Sequence, residues 1–213
     1  MAALPEPPEP PVEPRRGRRE ERTATSRARI LDAAVECLVE CGYGGATTLR
    51  IQARAGVSRG RLLHHFPSRE ALLVAASRHL ATERLRRTHR RILTIPADLP
   101  PEERLDRAVE LMWETFSEPH FWAAVELWAA ARTDGELRAV LLPAEREIGA
   151  VIRAGVAQFY GPELTAHPRY EQIRDLVLTS MRGVGLTYAL TRRDPRTDPH
   201  LPVWKSAART LLT

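Results

Sequence analysis

Residues 47–66, TTLRIQARAGVSRGRLLHHF, constrain the fold of this 213-residue chain more than any other stretch. They predict a short helix, a turn at Gly56, and a second short helix with a basic outer face. Thr47 or Thr48 supplies a hydroxyl that can cap the first helix by accepting from an orphan first-turn amide. Leu49, Ile51 and Ala55 are its apolar members and are expected to form one buried stripe. Gly56 falls where the chain must leave the helix in a left-handed conformation, which costs glycine almost nothing. Val57 then plugs the corner and Ser58 caps the second helix. Leu62 and Phe66, four apart, face inward, leaving Arg59, Gly60, Arg61, Leu63 and His64 outward. Two short helices joined through a glycine turn describe a helix-turn-helix, whose second helix lies in the DNA major groove.

The charge distribution points the same way. Residues 15–69 hold twelve Arg and no Lys against five acids, an excess of seven, while the whole chain carries only +5. A positive field centred on the motif suits a polyanion, because each phosphate contact releases condensed counterions. Double-stranded DNA is therefore the expected macromolecular partner. No apolar run approaches the ~18 residues of a membrane span, and the Pro- and Glu-rich start lacks the apolar core of a signal peptide. A cytoplasmic protein with no membrane partner is expected. Cys37 and Cys41 are the only cysteines. Four apart on one helix, their Cβ atoms are ~5–6 Å from each other, too far for a disulfide; two small core residues are expected.

The rest of the chain reads as helix throughout, with no convincing strand. Residues 1–24 are expected to be a disordered arm, Pro-rich and then basic. A first helix is predicted over 26–41, with Ile30, Leu31, Ala34, Leu38 and Val39 as its apolar stripe. A long helix follows over 68–93 with Ser68 at its N-cap. Further helices are predicted at 102–117, 119–132, 135–159, 168–191 and 200–212, with Pro143 a candidate kink in the fifth of these seven. The expected fold is all-α. A three-helix helix-turn-helix unit over 25–70 precedes a larger helical body for ligand binding and dimerisation over 71–213.

Leu31-Asp32-Ala33-Ala34, Gly42-Tyr43, Ala55-Gly56-Val57-Ser58-Arg59-Gly60 and His64-His65-Phe66-Pro67-Ser68-Arg69-Glu70-Ala71-Leu72 together resemble the N-terminal domain of TetR-type transcriptional repressors. The resemblance covers residues 25–75. It implies a dimeric regulator with a small-molecule effector held in the helical body and no cofactor. Two positions depart from the family pattern. Gln52 stands where members usually have a small residue, which implies a shifted helix crossing or a Gln pointing out towards phosphate. Leu63 stands where many have tyrosine, which removes a phenolic phosphate contact and leaves an apolar group for a thymine methyl.

Arg59 and Arg61 are the candidate base readers, since a guanidinium can fork onto guanine O6 and N7. Gly60 lets the helix approach the groove wall. Thr47, Ser58 and Arg69 suit phosphate oxygens, His64 a phosphate or base edge, and Arg50 completes the candidate DNA contacts; the resemblance implies the same roles for all but Arg50. His64 and His65, adjacent on a helix, diverge by about 100° and do not converge on a metal ion.

In the body, residues 112–128 hold a run of aromatic and polarizable groups, Met112, Trp113, Phe116, Phe121, Trp122 and Trp128, and Met112, Phe116, Trp122 and Met181 are the candidate ligand contacts. Ile173, Val177, Met181 and Val184, with Trp204, Ala208 and Leu211, form two apolar stripes expected at a four-helix homodimer interface. An enzyme is not expected: the seven His have no metal spacing, neither thiol has an identifiable base, and no Gly-rich phosphate loop follows a strand. A DNA-binding regulator whose body only dimerises is the alternative.

Overall fold

The computed structural model describes residues 15–92, 95–96, 99–191 and 193–212, and among these it contains nine α-helices and no strand. They are α1 Arg15–Gly45, α2 Thr48–Ala55, α3 Arg59–His65, α4 Arg69–Ile92, α5 Pro101–Glu114, α6 Pro119–Ala131, α7 Gly135–Thr165, α8 Tyr170–Thr187 and α9 His200–Leu212. No described helix is long and apolar enough to cross a membrane.

The start of α1 corrects the sequence reading. Residues 15–24, expected to belong to a disordered arm, are helical and continue directly into the predicted first helix. The six prolines of the expected arm all lie in residues 1–14, outside the described residues. Pro143 likewise leaves α7 helical. The break falls instead at Gly161, with φ 79 and ψ 171, directly before Pro162.

Two apolar cores hold the molecule together. The first joins Ile30, Leu31 and Leu38 of α1 to Ile51 of α2, Leu62 of α3, and Leu72 and Leu73 of α4, all essentially inaccessible. It runs on into Leu127 of α6 and Leu137 of α7, so the helix-turn-helix unit shares its core with the body. Each such side chain contributes about 1.5–3 kcal/mol by leaving water. The second core packs α5, the end of α7, α8 and α9 around Met112, Trp113, Phe159, Tyr160 and Met181.

Leu49 and Val39 depart from their expected burial, at 73% and 38% exposed. Leu49 and Ile51 are two apart on a helix, about 200° around its axis, so they cannot share a face.

The second core also fixes the connection into α9. The Trp113 indole N–H donates to Pro195 O at 2.7 Å, and the Tyr188 hydroxyl donates to Asp198 Oδ2 at 2.6 Å. Asp198 Oδ1 in turn accepts from the His200 backbone N–H at 2.8 Å, satisfying a first-turn donor of α9.

Candidate nucleic-acid interface

The local geometry of the motif follows from its caps. Thr47 is extended and its Oγ1 accepts from Arg50 N at 3.2 Å; Ser58 is extended and its Oγ accepts from Arg61 N at 3.3 Å. In each case the hydroxyl uses an oxygen lone pair for the cap and keeps its own proton to donate outward. Gly56 has φ 63 and ψ 40, the left-handed corner expected, and it is followed by half-buried Val57. Arg29 Nη2 of α1 donates to Ala55 O at 2.7 Å, closing the C-terminus of α2.

On α3, Leu62 is buried, as is Phe66 just beyond the helix. Arg59, Gly60, Arg61, Leu63 and His64 all lie on the exposed side, with Leu63 47% accessible. A Cβ added at Gly60 would meet no atom within 4 Å, so nothing in the chain's own packing demands glycine there. His65 is half-buried beside Phe66, its ring centroid 6.2 Å away. Burial, followed by the nearby His64, Arg27 and Arg61, pushes its pKa down and favours the neutral ring. Arg50 spends one donor on Gly45 O at 3.1 Å and remains exposed. Gln52 is half-buried.

Arg69 sits differently from the phosphate contact expected of it. Its Nε donates to Ala46 O at 3.0 Å, its Nη2 donates to Tyr43 O, and its Cζ lies 4.1 Å from the Tyr43 ring centroid. A guanidinium fits a pair of converging carbonyls as well as it fits a phosphate, and here the turn after α1 supplies them. Tyr43 is the centre of a joint. Its backbone N–H donates to Glu126 Oε2 of α6 at 2.9 Å, and its hydroxyl donates at 3.2 Å to Asp134 Oδ2 at the N-cap of α7. Gly42-Tyr43 belongs to the family pattern, but no local signal marks the partners of Tyr43, 83 and 91 residues away.

Comparison with known proteins agrees with this architecture. Residues 30–76 match the family model for bacterial regulatory proteins of the tetR family. The chain is 30% identical over 142 residues to the HTH-type transcriptional repressor AcnR of Corynebacterium efficiens, covering 65% of this chain and 68% of that protein. The chain belongs to the TetR family. It is also 24% identical over 185 residues to an uncharacterized HTH-type transcriptional regulator of Mycobacterium tuberculosis, covering 87% of this chain and 93% of that protein. Its fold is similar to that of a transcriptional regulator from Rhodococcus sp. Rha1, with TM-score 0.64 at 20% identity over 88% of this chain and 95% of that one. It is thus a DNA-binding transcriptional regulator of the TetR family.

The body of this TetR-family chain holds a cavity of about 520 Å³ where the two cores meet, between α4, α5, α6, α7 and α8. Of the four candidate ligand contacts, Met112 and Phe116 line it. Met181 is instead fully buried in the second core, and Trp122 packs against that core. Trp122 follows Phe121 by one residue, about 100° around α6, so only one of the two faces the cavity. Trp128, Glu145, Leu178 and Arg182 line it too; the aromatic run 112–128 pointed to Trp128, but nothing local marked the other three.

The dimer stripes also need correction. Ile173, Val177, Met181, Trp204 and Ala208 are at most 7% exposed within the single chain. Val184 and Leu211 are half-buried and pack against the same core. The five buried ones belong to the core within one chain, whereas Val184 and Leu211 keep part of their surface outside it. The apolar groups left outside are Leu176, Leu186 and Val203, at 60%, 42% and 60% exposure.

Proposed function

We propose that the protein is a ligand-responsive repressor that binds a palindromic operator as a homodimer and is released by a small molecule. Arg59 and Arg61 read base edges, Gly60 lets the α3 backbone come close, and Leu63 meets a thymine methyl. Thr47, Arg50, Ser58 and His64 hold the phosphates on either side. Arg69 supports them from behind by securing the turn between α1 and α2.

One helix-turn-helix reads too few base pairs for high specificity, and two-fold pairs on half-sites ~34–36 Å apart are the usual solution. The outer faces of α8 and α9 suit that pairing, with Leu176, Leu186 and Val203 apolar and exposed, and Gly183 small enough to admit a neighbouring helix.

The observation that carries the sensing half is the double duty of α6. Phe121, Ala124 and Trp128 line the cavity, while Glu126 on the same helix holds Tyr43. An effector that binds better when α6 is displaced shifts the population towards a different setting of the α1–α2 turn. The recognition helices then no longer match the half-site separation.

Gel shifts with DNA from upstream of the protein's own gene, with and without a metabolite panel, test the reading. Protection of a palindrome that a metabolite abolishes supports it. Operator binding that no stabilising metabolite alters would reduce the body to a dimerisation module.

A further inference from the structure

The cavity is apolar inside and carries its charge at one end. Met112, Phe116, Phe121, Ile152, Val156 and Phe159 form the interior wall. Trp128, Glu145 and Arg182 form the polar end. The Trp128 side chain hydrogen-bonds to Glu145, and Arg182 lies over the Trp128 ring, its Cζ 5.3 Å from the centroid.

The two charges are not equivalent. Glu145 is partly buried and holds a donor in Trp128; burial pushes its pKa up, while the Trp128 bond and the nearby Arg182 charge pull it back down. Arg182 is exposed, forms no ion pair among the described residues, and cannot lose its proton. His120, the other basic group at the wall, lies 3.5 Å from Glu118. A ligand cation would also find the Trp128 face already taken by the protein's own guanidinium. The permanent charge at the cavity is therefore positive, and Glu145 is the acid of its lining that competes with a ligand anion for it.

Resting on the reading of this cavity as an effector site, we propose that the effector is an amphipathic monocarboxylate, its apolar body among the phenylalanines and its carboxylate on Arg182. The volume suits a molecule of roughly drug size. A carboxylate can take two parallel N–H donors from one guanidinium, which gives both strength and orientation.

The test uses three matched probes, 6-phenylhexanoate, 6-phenylhexan-1-ol and 6-phenylhexylamine, titrated calorimetrically into the full-length protein. The carboxylate is expected to bind about tenfold or more tighter than either analogue, the gain of a charge-assisted pair. Arg182→Gln, at an exposed position, is expected to bring the carboxylate down to the level of the alcohol and leave the alcohol unchanged. Glu145→Gln is expected to tighten the carboxylate. Equal or tighter binding of the amine or alcohol overturns the proposal, as does a carboxylate preference that survives Arg182→Gln. Two cavity-filling variants, Ile152→Trp and Ala124→Phe, separate this failure from that of the site itself. If neither weakens any probe, or if none of the probes binds the wild type, the effector site is refuted and the ligand class with it.

Discussion

The backbone N–H of Tyr43 at the end of α1 donates to Glu126 Oε2 of α6 at 2.9 Å, joining the helix-turn-helix unit to the body. Gly42 makes that approach possible: its φ is 67, and a Cβ there would lie 2.8 Å from the same Oε2. Gly42→Ala is expected to destabilise the fold by about 1–2 kcal/mol from backbone strain alone, with displacement of Glu126 adding to it. Glu126→Ala strands a half-buried N–H and is expected to lose about 1–3 kcal/mol. In the double variant the clash has no partner, so the combined loss should fall short of the sum by ~0.5 kcal/mol or more. Urea unfolding of the four proteins measures this, and simple additivity would contradict the joint.

Arg69 is bound to Tyr43 O and Ala46 O and stacked on the Tyr43 ring. Arg69→Ala is expected to lower stability by about 2–3 kcal/mol. Arg69→Lys should recover only part of that, because a point charge cannot serve two carbonyls and a ring face together. The salt dependence of DNA binding should stay the same, whereas loss of a phosphate contact would reduce the log–log slope by about 0.9.

Gly60 has open space where its Cβ would stand. Gly60→Ala should therefore raise stability by about 0.5–1 kcal/mol through a less costly helix. On the proposed docking the same methyl would stand between α3 and the groove, so operator affinity should fall about tenfold, or ~1.4 kcal/mol. Thermal melts and gel shifts on one preparation read both effects. Unchanged affinity would place the DNA elsewhere.

The two faces of α8 make opposite predictions. Leu176, 60% exposed, should tolerate Glu within the single chain, and Leu176→Glu is expected to yield folded monomers by sedimentation. Ile173, 7% exposed, buries its side chain in the second core. A charge there is expected to destabilise by several kcal/mol, beyond ~3. A Leu176→Glu protein that remains dimeric would move the interface off this face.

How much of this is legible in sequence depends on whether the signal is local. The turn at Gly56, the caps at Thr47, Ser58 and Ser68, and the inward pair Leu62 and Phe66 are local, and each is read from its neighbours. The helix breaks before Pro101, Pro119 and Gly135 are local too. The orientation of α8 is not, because it has apolar groups on two faces and only tertiary packing decides which one is buried. Arg69 is ambiguous for a related reason: its donors suit a phosphate and a pair of carbonyls equally. Glu145, Leu178 and Arg182 join the cavity from α7 and α8, far in sequence from the aromatic run that announces it.

The central claim is that α3 reads base sequence as one half of a symmetric pair, and selection from random duplex DNA tests it most directly. The wild-type protein is expected to enrich a palindrome whose half-site centres are ~34–36 Å apart. Arg61→Ala should weaken that site by about 1–3 kcal/mol while leaving non-specific binding nearly unchanged. Enrichment of no palindrome, or equal loss on specific and random DNA, would contradict the account.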